Sequence, residues 1–317
     1  MASSTSASRR ENITFASGDD VCAGWLYRPT APPLAPAYGS IPSSRKSKYP
    51  AVVLGHGIGG IKEFQLDAYS ERFAELGIIC VAFDYRHFGE SGGQPRQLLD
   101  IGLQQQDWRA AIRYTKQLEE VDETRVGLFG SSFGGGHVIH TSSEDHTIKA
   151  VIAQCPFTSG FHSAQTVGVL PLFKLAGLGI WDLVSKATGY GVIPVPLAGK
   201  PGEAALMNTP DAMDYEKIIP PFYLAQKDKL GWVAARFALN IGFYNPGWKT
   251  ADIQCPILFG VCGKDSVAPP GPTIRYAANA LHGEVKVYDD MGHFDCYVGE
   301  PFEIVTKDYC DFLRRNL

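Results

Sequence analysis

The 317-residue sequence has no long hydrophobic run and no large excess of charge of either sign. No apolar stretch approaches the roughly 18 residues that a membrane-spanning helix needs, so we expect no membrane span. The formal net charge of -4 gives no electrostatic reason to bind nucleic acid or an anionic membrane. With 45% hydrophobic and 20% charged residues, the composition is typical of a soluble globular protein.

Redox, metal-binding and phosphate-binding patterns are missing as well. The seven cysteines contain no C-x-x-C pair, and their odd number favours a reducing, cytoplasmic compartment over a disulfide framework. His137 and His140 have the spacing of neighbours on a helix, but no third ligand is near them, so we expect no metal. The sequence has neither G-x-x-x-x-G-K-[ST] nor a full G-x-G-x-x-G, and we expect no cofactor.

The most informative feature that is present is the segment Gly130-Ser131-Ser132-Phe133-Gly134. It follows an apolar run, residues 125–129, that predicts a strand, and it leads into a predicted helix. A serine in G-x-S-x-G between a strand and a helix is typical of a nucleophile on a sharp turn. A second match surrounds Ser91, but Gln94-Pro95 and no helix follow it. We therefore interpret Ser91 as a loop residue and Ser132 as the nucleophile.

A histidine and an aspartate complete a candidate triad with Ser132. His293 lies between the last predicted strand and the final predicted helix, at the sheet edge where Ser132 should lie, and it could take the serine proton. Asp265 follows a predicted strand, which gives the chain order Ser, Asp, His and an acid to orient the histidine. Asp289 and Asp290 are too close to His293 in sequence to orient it easily.

Acyl transfer also needs two N–H donors for the oxyanion of the tetrahedral intermediate. The residue after the nucleophile, Phe133, is expected to supply one backbone N–H. The other should come from the glycine-rich loop at residues 55–60, which follows a predicted strand. We assign it to Ile58, with Gly57 as the alternative.

Apolar strands alternate with helical patterns over most of the chain, which predicts an α/β fold with a mostly parallel sheet covered on both faces. We expect a flexible tail at residues 1–11 and a core built from residues 12–156 and 251–317. The predicted elements are a hairpin at 12–17 and 21–28, strands at 51–55, 78–85, 126–129, 150–154, 256–262 and 285–288, and helices at 64–76, 100–118, 272–281 and 302–314.

Residues 157–250 interrupt this alternation and are rich in glycine, proline and aromatic residues. We interpret them as a lid over the catalytic edge, the alternative being an irregular packing extension with no gating role. Helix-like patterns occur at 176–187 and 232–241. The apolar residues exceed what a solvated loop needs, and we expect five of them to bind substrate: Phe161, Leu172, Phe173, Trp181 and Trp232.

These segments together resemble the α/β-hydrolase superfamily from about residue 12 to residue 317. The matching segments are His56-Gly57, Asp84-Tyr85-Arg86, the turn at Ser132, Gly263-Lys264-Asp265 and Gly292-His293. More narrowly, the chain is similar to the fungal polyketide transferase and thiohydrolase group, which is related to the X-Pro dipeptidyl-peptidase-like hydrolases. The segments that carry this similarity are residues 59–63, 93–97, 107–112 and 134–138. The resemblance implies release of a polyketide chain from its synthase as an acid, or its transfer to an alcohol.

The sequence thus predicts a serine acyl hydrolase or acyltransferase that acts on an apolar ester or thioester. Hydrolysis and transfer use the same triad, so the sequence does not separate them. The expected partners are a small-molecule acyl substrate, an acyl carrier domain of a polyketide synthase, and a second copy of the chain in a homodimer. We expect no nucleic acid and no membrane as partners.

Two alternatives stay open. The first is a broad-specificity carboxylesterase or an aminopeptidase-like hydrolase, for which Asp211, Asp214 and Glu216 could supply a carboxylate cluster, although they read as the solvated start of a helix. The second is a non-catalytic binding protein on the same scaffold. Such a protein would be expected to lose a triad member, and this sequence has lost none.

Overall fold

The computed structural model describes residues 8–36 and 48–317. Eight strands in these residues form one sheet in the order β1-β2-β4-β3-β5-β6-β9-β10, and β7 pairs with β8 in a small second sheet. The strands are β1 (Ser8–Ser17), β2 (Asp20–Pro29), β3 (Tyr49–Gly55), β4 (Ile79–Phe83), β5 (Val121–Ser131), β6 (Ala150–Gln154), β7 (Pro194–Pro196), β8 (Trp232–Ala234), β9 (Ile257–Cys262) and β10 (Gly283–Tyr288). In the main sheet, β2 is antiparallel to β1 and to β4, and all other pairings are parallel.

Helices flank the sheet in two groups, in which α1 contacts α9 and α2 contacts α3. The α-helices are α1 (Leu66–Ala74), α2 (Ile101–Gln117), α3 (Phe133–Glu144), α4 (Gly160–Val167), α5 (Val169–Thr188), α6 (Pro221–Leu224), α7 (Lys227–Leu230), α8 (Pro270–Ala277) and α9 (Gly299–Asn316). Short 3-10 helices cover Ala212–Ile218, Ala235–Leu239, Ile241–Phe243, Pro246–Asp252 and Asp295–Tyr297.

Strands β4 and β9 carry no polar side chain other than a cysteine, because helices cover both faces of the sheet. Every residue of β4 and β6 is buried. The helix side chains pack directly on the strands: Trp108 of α2 is fully buried and lies edge-on to Phe83, with 5.3 Å between the ring centroids. A Cβ at Gly55 would lie 2.3 Å from the Trp108 ring, so the end of β3 has room only for glycine.

The predicted strands and helices of the core are confirmed within a few residues, and β6 has the predicted bounds. β1 begins at Ser8, so residues 8–11 belong to the sheet and not to the expected tail. Residues 1–7 of that tail lie outside the described residues. Within the interrupting segment, the predicted helix at 176–187 is the second part of the longer α5.

The predicted helix at residues 232–241 is wrong. Residues Trp232–Ala234 form β8, which pairs antiparallel with β7, and a 3-10 helix at Ala235–Leu239 follows. Val233 lies opposite Val195 in this pairing, and both side chains are fully buried. A short apolar run fits a strand as well as a helix, and here a partner 38 positions earlier decides between them.

No single helix among the described residues is both long enough and apolar enough to cross a membrane. Helices α4 and α5 reach the length and composition of a membrane-spanning helix only when they are taken together, and a bend of 112° separates them.

Candidate active site

Ser132 lies on the turn between β5 and α3 in a strained backbone conformation, with φ at 55° and ψ at -116°. Its backbone N–H donates to the carbonyl of Gln154 at 2.8 Å, which ties the turn to the end of β6. Glycine is required on both sides of it. A Cβ at Gly130 would lie 2.1 Å from the Gly134 carbonyl oxygen, and one at Gly134 would lie 2.5 Å from the His56 carbonyl oxygen. The turn therefore depends on both glycines of the motif.

Ser132, His293 and Asp265 form one hydrogen-bonded chain. The distance from Ser132 Oγ to His293 Nε2 is 3.0 Å, and that from His293 Nδ1 to Asp265 Oδ2 is 2.6 Å. The second oxygen of Asp265 accepts hydrogen bonds from the backbone N–H groups of Val267 and Ala268, at 2.9 and 2.7 Å. His293 is fully buried, whereas Ser132 keeps 9% of its surface exposed. The structure thus brings together the three residues of the predicted triad.

The electrostatic setting suits His293 to accept a proton. Burial disfavours the charged imidazole, but the carboxylate of Asp265 outweighs it and raises the pKa of His293 above its ordinary value. Because Nδ1 faces this carboxylate, Nε2 is the nitrogen that faces Ser132. A neutral imidazole in this orientation can accept the serine proton.

Asp211 is a further residue of the site, and it comes from the segment between β6 and β9. Its Oδ2 accepts hydrogen bonds from the backbone N–H groups of Ser266 and His293, at 3.2 and 3.1 Å, and its Oδ1 accepts one from the Ser266 hydroxyl. Burial acts to raise the pKa of Asp211, but these hydrogen bonds lower it below its ordinary value. One ionised carboxylate therefore connects this segment to the loops that carry Asp265 and His293.

The sequence did not reveal this role of Asp211. A 3-10 helix does begin after it, at Ala212–Ile218, as expected for the start of a helical turn. Asp211 itself is half-buried, and its partners lie 55 and 82 residues further along the chain. No local pattern of residues reports contacts at such separations.

Two mainly apolar cavities meet at Ser132, and Ile58 and Met207 line both of them. Their volumes are about 520 and 440 Å³, including space that is open to solvent. The first is lined further by Phe64, Leu66, Leu197, Tyr215, Ile218, Phe294 and Tyr297. The second is lined further by Phe133, Phe157, Ser163, Thr166, Leu206, Thr209, Ile241, Val267 and Ala268.

The segment at residues 157–250 contributes to both cavities, but not through the residues that we predicted to bind substrate. None of the five predicted side chains lines either cavity: Phe161, Leu172, Phe173, Trp181 and Trp232. The first four are exposed, and Trp232 is partly buried in β8. The apolar pattern of α5 does not say which side of the helix faces the site, and its buried side packs on the 3-10 helix Ala235–Leu239. From this segment, Leu197, Met207 and Ile218 line the first cavity instead.

Ile58 and Phe133, the predicted oxyanion donors, flank Ser132. Ile58 lies in the loop after β3, and Phe133 is the first residue of α3. The loop passes close to the serine because Gly57 has no side chain: a Cβ there would lie 3.0 Å from Ser132 Cβ. This placement agrees with a site for a developing negative charge, and the role of the two N–H groups as donors stays a prediction.

Three groups of side chains among the described residues have the spacing to hold a metal ion, and neither His137 nor His140 belongs to them. The first group consists of Glu63, Asp84 and Glu90. It already binds the ammonium group of a lysine, since Lys62 Nζ lies 2.9 Å from Asp84 and 2.7 Å from Glu90. The other two groups are Cys155 with Cys262 and Cys296, and Cys155 with Asp265 and His293. In the last group, Asp265 and His293 are already hydrogen-bonded to each other.

Known proteins resemble this chain over nearly its whole length. Residues 52–307 match the model of the alpha/beta hydrolase family. The quorum-quenching protein AidA of Acinetobacter baumannii is 45% identical over 96% of this chain and 94% of that protein. Thiohydrolase aneE of Aspergillus aculeatus is 35% identical over 84% of this chain and 85% of that protein. The solved structure of DcsB with its substrate analogue has a TM-score of 0.79 at 20% identity, covers 97% of this chain and 99% of that one, and supports the fold alone.

Proposed function

The chain belongs to the alpha/beta hydrolase family, and we propose that it is a serine hydrolase or acyltransferase for an apolar acyl ester or thioester. One observation carries the proposal: the hydrogen-bonded chain of Ser132, His293 and Asp265 lies where two apolar cavities meet. A serine hydroxyl next to an oriented, neutral imidazole is the arrangement that acyl transfer through a covalent intermediate requires.

In this mechanism Ser132 Oγ attacks the acyl carbonyl carbon while His293 Nε2 takes the hydroxyl proton. Asp265 keeps the imidazole in the required tautomer and stabilises the imidazolium that forms. The backbone N–H groups of Phe133 and Ile58 bind the oxyanion. His293 then donates the proton to the leaving alcohol or thiol. Water or an acceptor hydroxyl, deprotonated by His293, finally attacks the acyl-serine. His293 returns that proton to Ser132 Oγ as the acyl–oxygen bond breaks, which regenerates the free enzyme.

The two cavities suggest separate places for the two parts of the substrate. We assign the acyl chain to the first cavity, where Leu197 and Ile218 supply apolar surface. Each methylene buried there should contribute about 0.8 kcal/mol of binding until the cavity is full. The leaving group or acceptor belongs in the second, because Ser163 and Thr166 offer hydroxyls there to a polar group.

Two physiological substrates fit this chemistry. The similarity to fungal thiohydrolases and a polyketide transferase favours a polyketide chain held as a thioester on an acyl carrier domain of its synthase. The 45% identity with a quorum-quenching protein favours the removal of an acyl ester that serves as a bacterial signal. An aminopeptidase-like activity is less well supported, because Asp211 is committed to Ser266 and His293 and is not free for a substrate amine.

A fluorophosphonate probe followed by intact-mass measurement tests the proposal. We expect one covalent adduct on the wild type, none on Ser132→Ala, and normal labelling of Ser91→Ala, which alters the other G-x-S-x-G serine. A panel of N-acetylcysteamine thioesters, p-nitrophenyl esters and acyl lactones, with and without an added alcohol, then separates thioester from ester and hydrolysis from transfer. Labelling that persists in Ser132→Ala, or a wild type that neither labels nor turns over, would contradict the proposal.

A further inference from the structure

The outer face of α5 carries an apolar surface that a helix exposed to water does not ordinarily have. Phe173 exposes 73% of its surface, Trp181 61% and Ile180 58%. A contiguous apolar patch of this kind marks an interaction surface. Its large members are Val169, Leu170, Leu172, Phe173, Ile180, Trp181, Leu183 and Val184.

The opposite face of α5 already has its partner within the chain. Gly179 packs against the 3-10 helix Ala235–Leu239, where a Cβ would lie 2.8 Å from the Leu239 side chain. Asp182 is fully buried and pairs with Arg236, with 2.6 Å between Oδ2 and Nε. These contacts hold α5 on the rest of the chain, so the apolar outer face is not needed for that purpose.

The centre of the outer face has the spacing of a helix that packs along another helix. Val169, Phe173, Gly177, Ile180 and Val184 follow one another at intervals of four, four, three and four residues. At 3.6 residues per turn they fall within about 80° of the helix circumference. Their mean spacing of 3.75 residues is close to one helical turn, so they form a nearly straight stripe along which a second helix can pack. None of the five is charged.

Gly177 is the second observation that points to a partner helix. Glycine destabilises the interior of an exposed helix, so its presence there needs a reason. Apart from its chain neighbours and the backbone of α5, no atom of the described residues lies within 4 Å of the position that its Cβ would take, so packing among these residues gives no such reason. A glycine on an outer apolar face lets another backbone or a large side chain approach closely.

We propose that α5 forms the interface of a homodimer by packing antiparallel against α5 of a second copy. A two-fold axis between positions 178 and 179 places Ile180 of each copy over Gly177 of the other, and Phe173 opposite Val184. The apolar side chains expose on the order of 800 Å², the area that each partner buries in a stable interface of standard size.

The charges at the edge of the patch agree with this pairing. Lys174 and Lys186 are the exposed charged residues of α5. The same two-fold axis places Lys174 opposite Leu183, and Lys186 opposite Pro171, so like charges do not meet. The interface also bears on the site, because α5 follows directly on α4, whose Ser163 and Thr166 line the second cavity.

The substitution Gly177→Gln separates an interface from a structural role within one chain. Glutamine favours a helix more than glycine does, so the folded monomer should keep or gain thermal stability. Its side chain would occupy the space that Ile180 of the partner subunit needs. Ile180→Glu is the complementary change, and Leu281→Glu is the matched control, an apolar residue that is 67% exposed elsewhere on the surface.

Sedimentation equilibrium over a range of protein concentrations measures the dissociation constant. We expect a wild-type dimer at micromolar concentration, at least about 30-fold weaker association for Gly177→Gln and Ile180→Glu, and no change for Leu281→Glu. A wild type that stays monomeric, or a dimer that neither substitution weakens, overturns the proposal. So does a monomer that binds phosphatidylcholine or phosphatidylglycerol vesicles through Ile180, which would assign this face to a lipid surface.

Discussion

Two regions of the molecule differ in how they are held in place. One is the edge of the sheet, which carries Ser132, Asp265 and His293. The other is the segment at residues 157–250, which lines the cavities at that edge. At the sheet edge, the buried ends of β5 and β9 lead into loops that are hydrogen-bonded to the next strand: Ser132 N–H donates to Gln154, and Gly263 N–H donates to Tyr288. The other segment contains the 20-residue helix α5, several short helices and two three-residue strands, and α5 packs on a 3-10 helix about 55 residues further along the chain. The comparison suggests that the sheet edge fixes the reaction and that the segment fixes which acyl group reacts.

Asp211 is the contact through which the two regions depend on each other. Its carboxylate accepts hydrogen bonds from the backbone beside Asp265 and from the backbone of His293 itself. A second contact supports it, since Lys217 Nζ lies 3.4 Å from Asp295, two residues beyond His293. The segment therefore does more than line the cavities, because it is also hydrogen-bonded to the two loops that carry Asp265 and His293.

The largest effect should follow the loss of the nucleophile. Ser132→Ala should reduce turnover of any ester or thioester substrate by about 10⁴-fold or more, because no other group can form the acyl intermediate. Steady-state turnover of the best substrate in the panel measures it. Ser91→Ala, in the other G-x-S-x-G segment, should leave the chemistry largely intact, and the reverse pattern would place the nucleophile at Ser91.

Loss of the acid should be nearly as severe. Asp265→Asn should lower kcat by about 10⁴-fold with folding retained, because the imidazole no longer holds the tautomer that accepts the serine proton. Circular dichroism checks the fold while kinetics measures kcat. Asp289→Asn is the matched control in an exposed position next to the same loop. A larger loss for Asp289→Asn than for Asp265→Asn would mean that the acid has been misassigned.

The pH profile tests the state of His293. Neutral imidazole is the active form, so kcat/KM should fall as the pH drops through the His293 pKa. Asp265 raises this pKa above the ordinary value of 6.5, which places the acidic limb above pH 6.5. In Asp265→Asn the residual activity should fall at a lower pH than in the wild type. Burial lowers the pKa of His293, and the carboxylate of Asp265 is no longer there to raise it. A flat profile from about pH 5 to 9 would argue against a histidine base.

A smaller loss of activity is expected when the hydrogen bonds of Asp211, which connect the two regions, are weakened. Asp211→Asn should lower kcat by about 10-fold through misplacement of His293 and Asp265. It should also shift the acidic limb to lower pH, because the charge of Asp211 contributes to the raised pKa of His293. Asp214→Asn, which alters an exposed carboxylate paired with Lys217, is the control. Equal effects of both substitutions would reduce Asp211 to an ordinary surface carboxylate.

The same difference between the two regions explains which elements and which site residues could be predicted from the sequence. β6 was predictable because four consecutive apolar residues form a buried strand, and Ser132 because two glycines must flank a strained turn. The start of α5 was missed because Pro171 suggests an interruption, although a proline in the first turn of a helix removes no hydrogen bond. The role of Asp211 could not be predicted, because it depends on hydrogen bonds to Ser266 and His293, which are distant in the sequence.

The most direct measurement is the dependence of kcat/KM on acyl chain length, from acetyl to medium chains, in three proteins. The wild type should prefer longer chains. Asp265→Asn should lower kcat/KM by the same factor for every chain length, because it alters the chemical step and not the binding of the acyl chain. Ile218→Ala, which removes apolar surface from the first cavity, should reduce the gain for longer chains while leaving acetyl turnover nearly unchanged. A wild type that prefers acetyl, or an Ile218→Ala variant that loses activity equally at all lengths, would contradict the division between the sheet edge and the segment above it.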